Sequence, residues 1–339
     1  MGRVLQIISV TLPFFALIAA GYAAARSSAL PLAAIPGLNA FVLYFALPCM
    51  LFRFGAGAPI AQLLDAGVAL AWGFSALFVV AATVGLARRQ GLAWNDAAFG
   101  ALVAAFPNTG FMGLPLLIAI LGTQAASPMI ITIAFDLVLT SSLCIALSRL
   151  DGAGAQGAAR AARQALRGIA QNPMLWAILL GGLVSATGLA LPKPLERTIA
   201  MLGDAASPVA LFTIGAVLAR SAQLAREHRA SARVAEAMGS GVRAPSPART
   251  ADLLSVTAIK LLAHPVLVYG LANAALALGL PLERNALVAI VLVASLPSAS
   301  NVAMLAERFG ADSGRIARII LWTTVAAFFS FPLAVGWLR

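Results

Sequence analysis

The chain has 339 residues, 61% of them apolar and only 10% charged. Soluble domains run at about 45–50% apolar and about 25% charged, so too little charge is present to cover a water-facing surface, and the reading is an integral membrane protein. A net charge of +11 would suit nucleic acid. The arginines, however, sit mostly in loops between apolar stretches with no aromatics interleaved, the pattern of cytoplasmic loops in a bilayer protein. No nucleic-acid partner is expected.

The first apolar run, 4–25, follows Arg3 and ends in Ala-rich sequence that resembles a signal-peptidase site. It is long for a signal sequence, carries Pro13 and leads into more apolar runs, so it reads as a membrane span. Further runs lie at 35–52, 67–87, 97–121, 128–148, 173–191, 198–219, 253–278, 286–305 and 316–338. Each is close to the roughly 20 residues that a helical crossing needs, and the prediction is ten spans. The short alternating segments of an outer-membrane barrel are absent.

Orientation follows from the basic residues. With the N-terminus outside, the inside loops hold sixteen Arg and the outside segments six Lys or Arg, with Lys260 inside a span. The cytoplasmic bias of basic residues then puts both termini outside, periplasmic in an inner membrane. Two inside loops are long. In 150–172, Arg160, Arg163 and Arg167 fall on one helical face. That is either a solvated connector or an interfacial helix on the anionic inner leaflet. Loop 220–252 is rich in Ala, Ser and Gly with Pro245 and Pro247, and reads as a partly disordered cytoplasmic linker. Cys49 and Cys144 lie in apolar runs, and His228 and His264 are too few and too far apart for zinc. Neither a disulfide framework nor a metal site is expected.

The fourth and ninth spans share an internal repeat. Asn95 to Pro107 and Asn285 to Pro297 are both thirteen residues long with five identities, Leu-Val-Ala among them. These positions correspond only if the chain is two halves of five spans, 1–149 and 173–339, joined by 150–172. Five is odd, so the halves insert in opposite orientations, and inverted repeats with broken helices in matching positions mark transporters. Pro107 removes a backbone donor and clashes with the preceding turn. Asn108, Thr109, Gly110, Gly113 and Pro115 follow it, and Pro297, Ser298, Ser300 and Asn301 repeat the idea. Backbone groups freed there must line a cavity or meet protein. Two crossing breaks would aim half-helix N-termini at one point, a setting suited to a carboxylate. The bland alternative is a pair of Pro kinks eased by Ser and Asn.

Ionisable groups inside spans are costly and point to function. Asp136, followed by Thr140, Ser141 and Ser142, and Lys260, one turn before His264, fall within roughly 10 Å of the midplane at ~1.5 Å per residue. Either they pair and lock helices, or they relay a proton or ion, with Lys260 a counter-charge to an anion. His264 precedes Pro265 and reads first as a packing donor. Asp204 lies nearer the outer end of its span.

Phe106-Pro-Asn-Thr-Gly-Phe-Met-Gly-Leu-Pro115 resembles the fourth-helix signature of the auxin efflux carrier family. Leu38 to Pro48, Ala206 to Gly215 and Lys260 to Pro265 are similar to its bacterial members, and the resemblance covers nearly the whole chain. It implies an all-α integral membrane protein of ten helices in two inverted five-helix repeats. Broken helices 4 and 9 would cross, as in bile-acid-sodium-symporter-like folds. It implies organic-anion substrates, malonate or malate in bacteria, with Pro107, Asn108, Thr109, Gly110, Pro297, Ser298 and Asn301 at the crossover and Asn39 and Pro48 flanking it. The Ala- and Arg-rich, Lys-poor composition is bacterial in character, so auxin itself is not expected.

The function read from the sequence is secondary transport of small carboxylates, with no cofactor and with Na⁺ or H⁺ as coupling ion. The expected partners are the anion, the bilayer with its anionic inner leaflet and at most a second copy of the chain. A P-loop is absent, as is His-Glu-x-x-His, and Asp136 lacks an aspartate partner for intramembrane proteolysis. A sensor or scaffold on the same fold is the alternative, and it would have no use for polar groups at the breaks.

Overall fold

The computed structural model describes residues 2–59, 64–150, 163, 166–167, 170–237 and 250–338. These residues form helices and turns, with one isolated β-bridge. In chain order the helices are α1 (Gly2–Arg26), α2 (Leu32–Gly57), α3 (Ala66–Arg89), α4 (Trp94–Ala105), α5 (Thr109–Leu121) and α6 (Thr123–Leu147). Then come α7 (Pro173–Thr187), α8 (Lys193–Ala237), α9 (Ala251–Ala277), α10 (Arg284–Ala294), α11 (Asn301–Arg308) and α12 (Ser313–Leu338). Among the described residues, six helices are long and apolar enough to cross a membrane: α2, α3, α6, the Lys193–Arg220 part of α8, α9 and α12. Leu12–Arg26 of α1, α5, α7 and α10 are apolar but shorter. The chain is a multi-pass membrane protein. Its outer surface carries bare Phe74, Phe78, Val266, Phe329 and Trp337, and apolar side chains in such number have a use facing lipid.

Local chemistry sets the helix ends. Asp65 caps α3 by accepting from the Val68 N–H at 2.9 Å, and Arg88 and Arg89 complement the dipole in its last turn. Asn172 caps α7 in the same way, with Pro173 at its first position. Gly188 closes α7 at φ 64°, a conformation that a side chain disfavours. The sequence predicts a linker from 220, but α8 continues to Ala237. Residues 221–237 contain neither Gly nor Pro and are dominated by Ala, Arg, Glu and Gln, strong helix formers that extend an existing helix at little cost. The predicted amphipathic connector, with Arg160, lies mostly outside the described residues.

The helices pack in two groups. α1 lies along α8, α7 along α2, and α2 also meets α8. A Cβ at Gly21 would overlap the backbone of Phe212, and one at Gly215 the backbone of Ile18, so glycine is what lets α1 and α8 touch. The second group is built on α3, which packs against α4, α6 and α9, with α10, α11 and α12 completing it. At its core, Ala97 to Ala105 of α4 and Ala289 to Ala294 of α10 are buried throughout.

At the first turns of α4, α9 and α12, Arg315 is 2% exposed and makes a two-pronged pair with Asp252, Nε to Oδ2 at 2.6 Å and Nη2 to Oδ1 at 2.8 Å. Its third nitrogen donates to Asp96 O at 2.7 Å. The sequence reading puts Arg315 among the basic residues of an inside loop, whereas here it rivets three helix ends together. Removing one partner of such a buried pair costs about 3–5 kcal/mol.

Candidate functional site

The α4–α5 and α10–α11 breaks meet. Pro107 and Ser298 form an antiparallel bridge. The Asn108 N–H donates to Pro297 O at 2.8 Å and the Ala299 N–H to Phe106 O at 3.0 Å. Ser298 donates through its hydroxyl to Val103 O at 2.7 Å and through its N–H to the Thr323 hydroxyl at 3.2 Å. Each proline takes away a helical hydrogen bond, and the groups set free pair with the other break. That resolves the cost of irregular backbone away from water.

The N-termini of α5 and α11 start at this crossing. A cavity of about 30 Å³ beside it is lined by Pro107, Asn108, Gly110 and Asn301 together with Leu43, Leu47, Leu137 and Met174. Thr109, Pro297, Ser298 and Ser300 are buried in the crossing itself. Asn39 is half-buried on α2 and is not one of the lining residues. Two polar atoms here are buried without a hydrogen-bond partner, Thr109 Oγ1 and Asn301 Oδ1. Unpaired buried polar atoms ask for a reason, and a ligand or a water is one. The cavity holds a water or two at this volume, so a larger solute needs its walls to separate.

Asp136 and Lys260 sit behind the crossing in one polar cluster, though no hydrogen bond or ion pair joins them among the described residues. Asp136 Oδ1 accepts from Trp72 Nε1 at 3.0 Å and from the Thr140 hydroxyl at 2.9 Å, and its Oδ2 has no partner. Lys260 donates to Ala294 O at 2.8 Å, and its Nζ lies 3.3 Å from His264 Nδ1. The His264 ring packs on Trp72, centroids 5.2 Å apart. Lys260 thus puts its charge on the last carbonyl of α10, the negative end of a half-helix. His264, read first as a packing donor, is a member of this cluster. Asp204 pairs with Arg53 at 2.8 Å on the surface, apart from the site.

A feature not foreseen from the sequence is four π-helical turns, Val42–Ala46, Thr109–Gly113, Asp136–Thr140 and Ile259–Ala263. Such turns concentrate at functional sites. The first three each place residues in the cavity wall, namely Leu43, Gly110 and Leu137, and the fourth carries Lys260. Three of them are followed, two residues on, by Pro48, Pro115 and Pro265. Proline excludes the carbonyl four residues before it, and the wider turn accommodates this. In the remaining one, Asp136–Thr140, the Ser141 hydroxyl donates to Asp136 O at 2.8 Å alongside the Ser141 N–H.

Paired broken helices that meet inside an apolar bundle, with Asp136, Lys260 and His264 buried behind them, are the architecture of a membrane transporter rather than an enzyme. Residues 6–335 match the family described as membrane transport protein, and the chain belongs to that family, the auxin efflux carriers. It is 32% identical over 323 residues to a protein of Rhizobium meliloti (strain 1021) named "Putative malonate transporter", covering 94% of this chain and 92% of that one. It is 26% identical over 248 residues to an "Uncharacterized transporter" of Methanothermobacter thermautotrophicus, covering 73% and 70%. Over 125 residues it is 30% identical to "Uncharacterized transporter YfdV" of Escherichia coli (strain K12), covering 37% and 40%.

Proposed function

We propose that the protein is a secondary transporter of small carboxylates such as malonate or malate, working by alternating access at the crossing. The observation that carries this is the convergence of two helix N-termini, Asn108 and Asn301 on one cavity. Two positive helix ends and two amides suit an anion with hydrogen-bonding oxygens, and the name of the Rhizobium relative agrees. Leu43, Leu47 and Met174 come from the α1–α2–α7–α8 group, and Asn108 and Asn301 from the other. Parting of the groups, first on one face and then on the other, would open the site to each side in turn. In this reading the chain makes ten crossings in two inverted repeats of five, with α4–α5 and α10–α11 each counted as one broken span. Both termini are periplasmic in a bacterial inner membrane, and 150–172 and 220–252 are cytoplasmic.

The coupling ion in this reading is a proton. Asp136 Oδ2 is a single unpartnered oxygen, which can hold a proton, whereas a hard metal cation calls for several oxygen ligands. The test is uptake by proteoliposomes across a panel of mono- and dicarboxylates, with Na⁺ and pH gradients imposed separately. Dicarboxylate uptake driven by the pH gradient alone is expected. Absence of uptake or exchange of any carboxylate would favour a sensor on the same fold.

A further inference from the structure

A second cavity, of about 330 Å³, lies between α1 and α8 away from the crossing, lined by Ala25, Arg26, Ala219, Gln223 and Arg226. Its volume falls in the range of pockets that hold a small ligand. Arg26 stands in the last turn of α1 and Arg226 on the extension of α8, which is cytoplasmic in the topology proposed above. Neither has a carboxylate partner among the described residues. Glu227, the acid beside them on α8, accepts instead from Gln223 Nε2 at 3.0 Å.

Depth says what kind of anion reaches them. The apolar part of α8 ends at Arg220. At ~1.5 Å per residue, Arg226 lies about 9 Å further on, just past the lipid headgroups, which occupy roughly 5–7 Å on each side of the hydrocarbon. Arg226 can reach back from there, and Arg26 closes α1, a helix of 25 residues that lies along α8. Ala25 and Ala219 also belong to an apolar cluster with Ile35, Ala216, Leu30 and Leu32, so the cavity has a greasy wall beside its two cations. Two guanidiniums on different helices facing one cavity repel each other, and a phosphate between them would remove that repulsion with forked, charge-assisted hydrogen bonds.

We propose that this cavity binds the phosphate of an anionic phospholipid from the inner leaflet. The lipid joins α1 to α8 at the end of their glycine-mediated contact and braces the helix group that carries Leu43, Leu47 and Met174. Basic pockets between spans on the cytoplasmic side bind such headgroups elsewhere.

The test uses the full chain in neutral detergent, with binding of the first lipid followed by native mass spectrometry. The probes are phosphatidylglycerol, phosphatidylcholine and inorganic phosphate. The variants are the double substitution Arg26→Gln with Arg226→Gln, and Arg89→Gln as an exposed cation elsewhere. The wild type should retain phosphatidylglycerol over phosphatidylcholine, and the double variant should bind it roughly tenfold or more weakly. Arg89→Gln should behave as wild type, and excess phosphate should fail to displace the lipid. Unchanged binding by the double variant, an equal loss in Arg89→Gln, or equal retention of phosphatidylcholine would overturn the proposal. Full displacement by inorganic phosphate would instead mark a site for a soluble anion and overturn the lipid assignment.

Discussion

With Asp136→Asn and Lys260→Met combined, gradient-driven uptake is expected to fall to background while counterflow exchange persists in the same vesicles. The two substitutions act differently on the fold. In Asp136→Asn the amide oxygen still accepts from Trp72 and Thr140, and the NH₂ takes the place of the unpartnered Oδ2. The protein should fold, but it has lost the atom proposed to carry the proton. Lys260→Met fills the space of the alkyl chain and leaves Ala294 O, the buried end of α10, without its donor. A buried acceptor left bare costs about 1–3 kcal/mol, which thermal unfolding of the single variant should register. Exchange needs binding and alternating access but no net ion movement, so it separates the two roles. Full gradient-driven uptake by the double variant would remove the pair from coupling.

Asn108→Ala and Asn301→Ala are each expected to weaken substrate binding by about tenfold to a hundredfold, the equivalent of one hydrogen bond to a charged group at roughly 1.5–3 kcal/mol. Asn108 is 5% exposed, and its backbone N–H is already committed to Pro297 O. The side chain is therefore not needed to hold the crossing, and folded yield should be close to wild type. Asn301 opens α11 and has a buried, unpartnered oxygen, so its loss leaves no protein group bare. Titration of the purified variants with the preferred carboxylate checks both. Wild-type affinity in both would take the two amides out of the site.

What could be read from the sequence was whatever contrasts with an apolar background. Pro107 and Pro297 stand in matching frames, a repeat that marks two breaks at corresponding places in the chain. Asp136 and Lys260 are conspicuous as charges in spans. Counting residues along a helix gives a charge its depth but not its direction, so their separate partners, Trp72 and Ala294 O, were out of reach. Leu43, Leu47 and Met174 wall the cavity yet differ in nothing from the lipid-facing leucines around them. The π turns had a signal that could have been used, since Pro48, Pro115 and Pro265 each sit in an otherwise helical run. Arg315 reads as a loop cation because it lies between apolar runs and its partner, Asp252, is 63 positions away.

In the proposed function the carboxylate occupies the cavity at the crossing. Met174 lines that cavity from the α1–α2–α7–α8 side and takes no part in the polar contacts of the crossing. The measurement is the alkylation rate of Met174→Cys by a small thiol reagent, in a background with Cys49→Ala and Cys144→Ala, as the transported carboxylate is raised. Labelling is expected to slow with the same concentration dependence as transport, and not to respond to a carboxylate that is not transported. An unchanged rate at saturating substrate, in vesicles that still transport it, would place the carboxylate elsewhere.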